Sequence, residues 1–231
     1  GWVRKEITDK QDLIRWSEAL SGIARTGLAF TENLYERERY EEVLHVAADI
    51  HSSISDTGES SEKIVEWMKE VGKGVPGYVT PKVAIGAVVG NENGEMLLIQ
   101  RSDSGVWLFP TGFADVGYSA AEIAEKEVLE ETGMEVEATR IISILDGVRA
   151  KFTRMPLYSI VFQCKVVGGT LKPHPLECDD VGFFSQDRMP QPLAGAGTWV
   201  DHAFSAIRNE PIEVQFDEPR RPSWKSEDKG D

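Results

Sequence analysis

Three glutamates, Glu127, Glu130 and Glu131, stand at helical spacing in the run Lys126-Glu127-Val128-Leu129-Glu130-Glu131-Thr132-Gly133. On a helix of 3.6 residues per turn they share one wedge of about 100°. Glu127 and Glu131 repel each other as an i,i+4 pair, at about 0.2–0.5 kcal/mol. Glu130 and Glu131 also lie at the negative end of the helix dipole, which costs about 0.3–1 kcal/mol each. Lys126 can offset Glu130 but not all three. Such a face is either left to solvent or matched by an external cation. Clustered carboxylate oxygens suit Mg²⁺ or Mn²⁺.

The loop before this helix favours the cation. Phe109-Pro110-Thr111-Gly112, followed by Asp115 and Gly117, carries glycines that let backbone carbonyls and amides approach a metal or a phosphate. Ser119 and Glu122 form a capping box at the helix start, and Gly133 supplies its stop.

The rest of the chain must position that helix. Upstream, Leu13, Trp16, Leu20 and Ile23 draw one apolar stripe, with Gly27 as its stop. A second run, Tyr40, Val43, Leu44, Ala47 and Ile50, follows the charged stretch Glu36 to Arg39. Two such helices enclose no core alone, so they pack on each other and on the main domain or a second copy of the chain. Ser52 to Ser61 has linker composition, a short helix covers Ile64 to Val71, and Gly72, Gly74, Pro76 and Gly77 break the chain. Val83–Val89 and Met96–Ile99, joined through Asn91, Asn93 and Gly94, predict a hairpin. Leu157 to Val167 alternates, with Tyr158, Ile160, Phe162, Cys164 and Val166 on one face and Ser159, Gln163 and Lys165 on the other. A late helix spans Trp199 to Ile207, and a charged, mobile tail follows Phe216. Mixed strands around one strongly marked helix make an α/β domain with an N-terminal helical extension.

Composition narrows the function. The 41% hydrophobic and 28% charged residues are those of a globular protein. No apolar run is long enough to span a membrane, and Gly1-Trp2-Val3-Arg4-Lys5-Glu6 has no secretory core. A net charge of −14 repels a long polyanion, which argues against nucleic acid as a partner. Two distant cysteines, Cys164 and Cys178, fit a reducing cytoplasm and build no thiolate metal site. His45, His51, His174 and His202 share no ligand spacing.

The segment Gly112–Met134 resembles the Nudix box, G-x5-E-x7-R-E-U-x-E-E-x-G-U with U aliphatic. Gly112 matches the opening glycine, and Glu127, Val128, Glu130, Glu131, Gly133 and Met134 match the second half in register. Tyr118 stands in place of the first glutamate and Lys126 in place of the arginine. In the family that arginine orients the glutamate after it; a lysine brings charge without the bidentate fork. Asp115 or Glu177 could compensate for the carboxylate that Tyr118 lacks. The resemblance implies a mixed β-sheet sandwiched between helices. With the N-terminal helices and Thr80-Pro81-Lys82 entering the first strand, it extends to the branch acting on CDP-choline and ADP-ribose, whose N-terminal helices serve dimerisation.

The expected organisation is a two-helix region at 1–56, a linker with a short helix at 57–79, the Nudix domain at 80–190, and a helix with a mobile tail at 191–231. The implied reaction is metal-dependent hydrolysis of the pyrophosphate of a nucleoside diphosphate linked to another group, by a cytoplasmic homodimer. Glu127, Glu130 and Glu131 carry the Mg²⁺ or Mn²⁺, with backbone oxygen from Thr111 and Gly112 and a further carboxylate from Glu177. Lys126 is counted with the catalytic group. Arg101 is a candidate phosphate clamp, and Arg149, Lys151 and Arg154 are candidates for the substrate's phosphates or distal part. Phe113 is a candidate base-stacking ring, as are Trp107 and Phe152, though aromatics more often pack. A triphosphatase acting on damaged nucleotides is a second enzymatic option. The alternative of another class is a module that senses a nucleotide without cutting it; Tyr118 and Lys126 favour it, and the three crowded carboxylates oppose it.

Overall fold

The computed structural model describes residues 10–54, 60–69, 71, 78–115 and 117–219. Gly1–Glu6, residues 55–59 of the linker, the breakers Gly72, Gly74, Pro76 and Gly77, and the tail beyond residue 219 lie outside the described residues; the linker's other residues, Ser52–Ile54 and Ser60–Ser61, are helical. The chain forms two compact units. One joins the chain up to Lys82 with Gly147–Tyr158; the other holds Val83–Asp146 and the chain from Ser159 onward.

The first unit is helical, with α1 (Lys10–Phe30), α2 (Leu34–Ile54) and α3 (Ser60–Met68). Asn33 starts α2 by accepting the Tyr35 and Glu36 amides at 2.9 and 3.3 Å, so the charged stretch Glu36 to Arg39 falls inside the helix. Gly27 does not stop α1. A Cβ there would collide with the Tyr40 ring, so the glycine permits close approach of α1 and α2. The expected apolar stripe is also only half right. Leu13 and Leu20 pack inward, whereas Trp16 and Ile23 are 42% and 62% exposed. Small residues set the contact instead: Ala24, Ala47 and Ala48 are fully buried, and the Ser17 hydroxyl donates to the Ala47 carbonyl at 2.8 Å. Narrow side chains let the two backbones approach, and Leu28 and Leu44 pack beside them while Trp16 and Ile23 are turned out.

Among the described residues, the second unit is built on a mixed sheet of eight strands. These are β1 (Lys82–Gly90), β2 (Met96–Arg101), β3 (Trp107–Leu108), β4 (Thr111–Phe113), β5 (Met134–Asp146), β6 (Leu157–Gly169), β7 (Cys178–Phe184) and β8 (Gln215–Phe216). Their order is β3-β2-β1-β6-β5-β8, with β4 paired to β1 and β7 to β2. The predicted hairpin is β1–β2. The Asn91 side chain accepts the Asn93 and Glu95 amides at 3.0 and 2.9 Å, and Gly94 takes φ 73°.

Helices cover both faces of the sheet. Ile85, Ala87 and Val89 of β1 pack with Ile123, Ala124 and Val128 of α4 (Ala120–Thr132). On the opposite face Val88, Phe109, Ile142 and Val161 meet Trp199, His202 and Ala203, at and in α5 (Val200–Ile207). In β6, Ile160, Phe162, Cys164 and Val166 point to the α4 side as their alternation requires. Tyr158 departs from that row and is half exposed, while Ser159 and Val161 on the other face are buried. A strand covered on both sides buries both its rows. Cys164 and Cys178 are buried and free, and no helix among the described residues is long and apolar enough to cross a membrane.

Candidate active site

Local signals fix α4 at both ends. The Ser119 hydroxyl accepts the Glu122 amide at 3.3 Å, and the Glu122 carboxylate accepts the Ser119 amide at 2.6 Å. Gly133 closes the helix at φ 73°, its amide donating to the Leu129 carbonyl. With Val128 and Ala124 buried against the sheet, the glutamate wedge is turned towards β4. Glu131 is 3% and Glu127 9% exposed, whereas the Glu130 side chain is half exposed.

The glycine loop meets these carboxylates. The Thr111 amide donates to Glu131 Oε2 at 2.9 Å, and the Thr111 hydroxyl is tied to the Ile85 carbonyl at 2.9 Å. Gly112 lies against Glu127, and a Cβ at that position would collide with the carboxylate. This is why the opening residue has no side chain.

Burial dominates the electrostatics. Desolvation pushes Glu131 up to about 8, helped by the Glu127 and Glu177 charges and opposed by the Thr111 amide and Arg101. Glu127 is raised too, first by desolvation, then by Glu130, Glu177 and Asp115 against the pull of Lys126. A cation bound beside two such buried carboxylates would offset the cost of ionising them. The donors are hard oxygens, and the bare Gly112 backbone lets one carboxylate lie directly against the loop, so the residues fit Mg²⁺ or Mn²⁺. Among the described residues no three acidic, histidine or cysteine side chains already converge as a metal shell. Magnesium fits such a site, since it keeps several waters and takes only one or two carboxylates plus substrate phosphate oxygens.

Glu177 is brought in by the chain that follows β6. The carbonyls of Glu131, Thr132 and Gly133 accept the amides of His174, Lys172 and Thr170 at 2.8–3.2 Å, fastening this segment to the end of α4. The Glu177 carbonyl then accepts the Ser102 amide at 3.0 Å, next to Arg101. Arg101 is less free than its position suggested: its fork holds Asp103 at 2.9 and 2.7 Å, and Asp103 is lowered to about 2 by that contact. Phe113, beside Gly112, is 52% exposed, whereas Trp107 is buried edge-on against Phe184 and serves packing. Thus Arg101, Gly112, Phe113, Lys126, Glu127, Glu130, Glu131 and Glu177 all belong to the sheet unit. Arg149, Lys151 and Arg154 fall in the segment that belongs to the helical unit.

Spacing did not reveal two engaged partners: the Thr111 amide on Glu131 and Asp103 on Arg101. The first depends on β4 lying beside α4, which no local pattern encodes. The second had a local signal, since Ser102-Asp103-Ser104-Gly105 is turn composition that brings residues two apart together.

The chain is similar to known families and proteins along most of its length. The NUDIX domain family matches residues 80–205, and the family described as "UDP-X-like, N-terminal oligomerisation domain" matches residues 11–68. YjhB of Bacillus subtilis (strain 168), provisionally named an ADP-ribose pyrophosphatase, is 32% identical over 205 residues, 87% of this chain and 95% of that protein. The crystal structure of an ADP-ribose pyrophosphatase from Streptococcus suis 89-1591 is similar at 35% identity and TM-score 0.52, over 60% of this chain and 100% of that one. The crystal structure of a UDP-X diphosphatase is similar at 26% identity and TM-score 0.55, over 91% of this chain and 100% of that one. A domain match over residues 80–205 of 231, a relative aligned along nearly its whole length, and a glycine loop closed on buried glutamates agree: the chain belongs to the Nudix family of pyrophosphohydrolases.

Proposed function

We propose that the chain hydrolyses the pyrophosphate of a nucleoside diphosphate linked to a second group, of the ADP-ribose or CDP-choline type, with Mg²⁺ or Mn²⁺, releasing a nucleoside monophosphate. The observation that carries this reading is the burial of Glu127 and Glu131 against the Thr111–Gly112 backbone, where both carboxylates are raised. A sensing module has no use for so costly an arrangement. The names of the similar proteins, ADP-ribose pyrophosphatase and UDP-X diphosphatase, support a substrate in which a nucleoside diphosphate carries another group.

A bound divalent ion supplies charge neutralisation at the pyrophosphate and a more acidic attacking water. The chain's own residues do the rest. Glu127, Glu130 and Glu131 would hold the cation, with the Gly112 carbonyl and the Glu177 carboxylate as further oxygen donors. Arg101 binds phosphate, exchanging Asp103 for a substrate oxygen, and Phe113 offers an exposed ring for the base.

The working form is proposed to be a homodimer in the cytoplasm. On α1, Trp16, Ile23 and Phe30 recur every seven residues and are 42%, 62% and 55% exposed, within the segment that matches an oligomerisation domain. Two buried free thiols fit a reducing compartment.

The test is a panel of ADP-ribose, CDP-choline, NADH and nucleoside triphosphates, with and without Mg²⁺ or Mn²⁺. Metal-dependent release of a monophosphate from one of the linked diphosphates is the expected result. Turnover confined to triphosphates overturns the substrate class, and binding without turnover overturns the reaction. Alanine at Arg149, Lys151 or Arg154 raising KM would add those cations to substrate binding.

A further inference from the structure

Two positions depart from the family pattern, and the structure shows what surrounds each. Tyr118 is half exposed at the start of α4 and brings no carboxylate. Lys126 points its ammonium at three: Asp115 Oδ2 at 3.2 Å, Glu130 Oε2 at 3.2 Å and Glu127 Oε1 at 3.9 Å. Asp115 comes from the loop between β4 and α4, not from the helix. That loop is held at both ends, since the Ala114 amide donates to the Val83 carbonyl at 2.9 Å and the Tyr118 amide to the Asp115 carbonyl at 3.4 Å. Gly117 allows the reversal at φ 97°.

An arginine fixes a neighbouring carboxylate by planarity: its fork makes two parallel hydrogen bonds in one orientation. A lysine ammonium is a rotatable point charge on a flexible stem and fixes nothing alone. It becomes directional only when a second anion holds it. We propose that Asp115 is that anion: a positioning residue that clamps Lys126, so that the ammonium aligns Glu130 and Glu127 for the divalent cation. Asp115 and Lys126 together then do what one arginine does in the family pattern. The inference rests on the metal-dependent reading of the site. Exposed ion pairs of this sort add little to stability, so the clamp's value lies in orientation and its loss leaves the fold intact.

The test is Mn²⁺ affinity, read by electron paramagnetic resonance without substrate, for wild type, Asp115→Asn, Lys126→Arg and the double variant, with kcat and KM for the same four. Removing an outer partner of a metal ligand weakens binding about ten- to a hundredfold, and Asp115→Asn is expected to do so with kcat falling more than KM rises. Lys126→Arg alone should bind near the wild-type level. The double variant should recover most of the loss, because a fork needs no clamp. A double variant as weak as Asp115→Asn overturns the proposal and makes Asp115 a ligand in its own right. Unchanged affinity in Asp115→Asn overturns it as well, with the metal site itself intact. Wild type that binds no Mn²⁺ overturns the underlying reading and the clamp with it.

Discussion

Glu131 is held at about 8 from an ordinary 4.5 because the fold takes it out of water. A carboxyl raised in this way contributes stability that is fully present below about pH 4.5 and is lost as pH rises through about 8. Glu131→Gln removes the charge and keeps an acceptor for the Thr111 amide. In chelator at pH 8 it is expected to stabilise the protein by about 1–3 kcal/mol, some 2–4 °C in melting temperature per kcal/mol, and to do nothing at pH 4. Melting curves at the two pH values check this, and a lower melting temperature for the variant at pH 8 contradicts it. Saturating Mg²⁺ should narrow the difference by stabilising the wild type alone. The glutamate set was legible in the sequence because spacing fixes angles around a helix. Its burial was not, since the angle does not say which wedge a neighbouring strand covers. Asp103 on Arg101 was hidden for a related reason: a side chain in a turn can satisfy an arginine before any substrate arrives.

Among the elements, α4 was legible from end to end. Its capping box and its left-handed glycine are local chemistry, complete within a few residues of the helix they bound. The β1–β2 hairpin was legible for the same reason. In α1, by contrast, only half of the apolar stripe faces inward: Trp16 and Ile23 are turned out, and Gly27 serves a close contact with α2 and not a stop. The contact predicts a specific sensitivity. Gly27→Leu would drive a side chain into the Tyr40 ring and cost about 1–3 kcal/mol, visible as an earlier denaturation midpoint. A midpoint unchanged from wild type would mean that α1 and α2 do not meet there.

An α/β fold with an N-terminal helical region follows from the sequence, whereas the grouping of Gly147–Tyr158 with the helical unit does not. That grouping rests on contacts far apart in sequence. Gln11 Nε2 donates to the Val148 carbonyl at 2.8 Å, and Ile14, Ile54 and Val148 share one cluster. Periodicity reports only neighbours, so such pairings leave no trace in it. The exposed ridge of Trp16, Ile23 and Phe30 on α1 is open to a direct test. If the proposed dimer forms through it, Ile23→Asp shifts the protein from dimer to monomer in light scattering at micromolar concentration, as a charge in a packed apolar contact costs several kcal/mol. A variant that stays dimeric places the interface elsewhere. The proposal that the glutamates hold a catalytic cation is tested by a single titration: Mg²⁺ added to wild type and Glu127→Gln while AMP release from ADP-ribose is followed. Wild type should be silent in chelator and saturate with metal, and the variant should fall by roughly a thousandfold or more at any Mg²⁺ concentration. Turnover in chelator, or a variant that keeps pace with wild type, would contradict it.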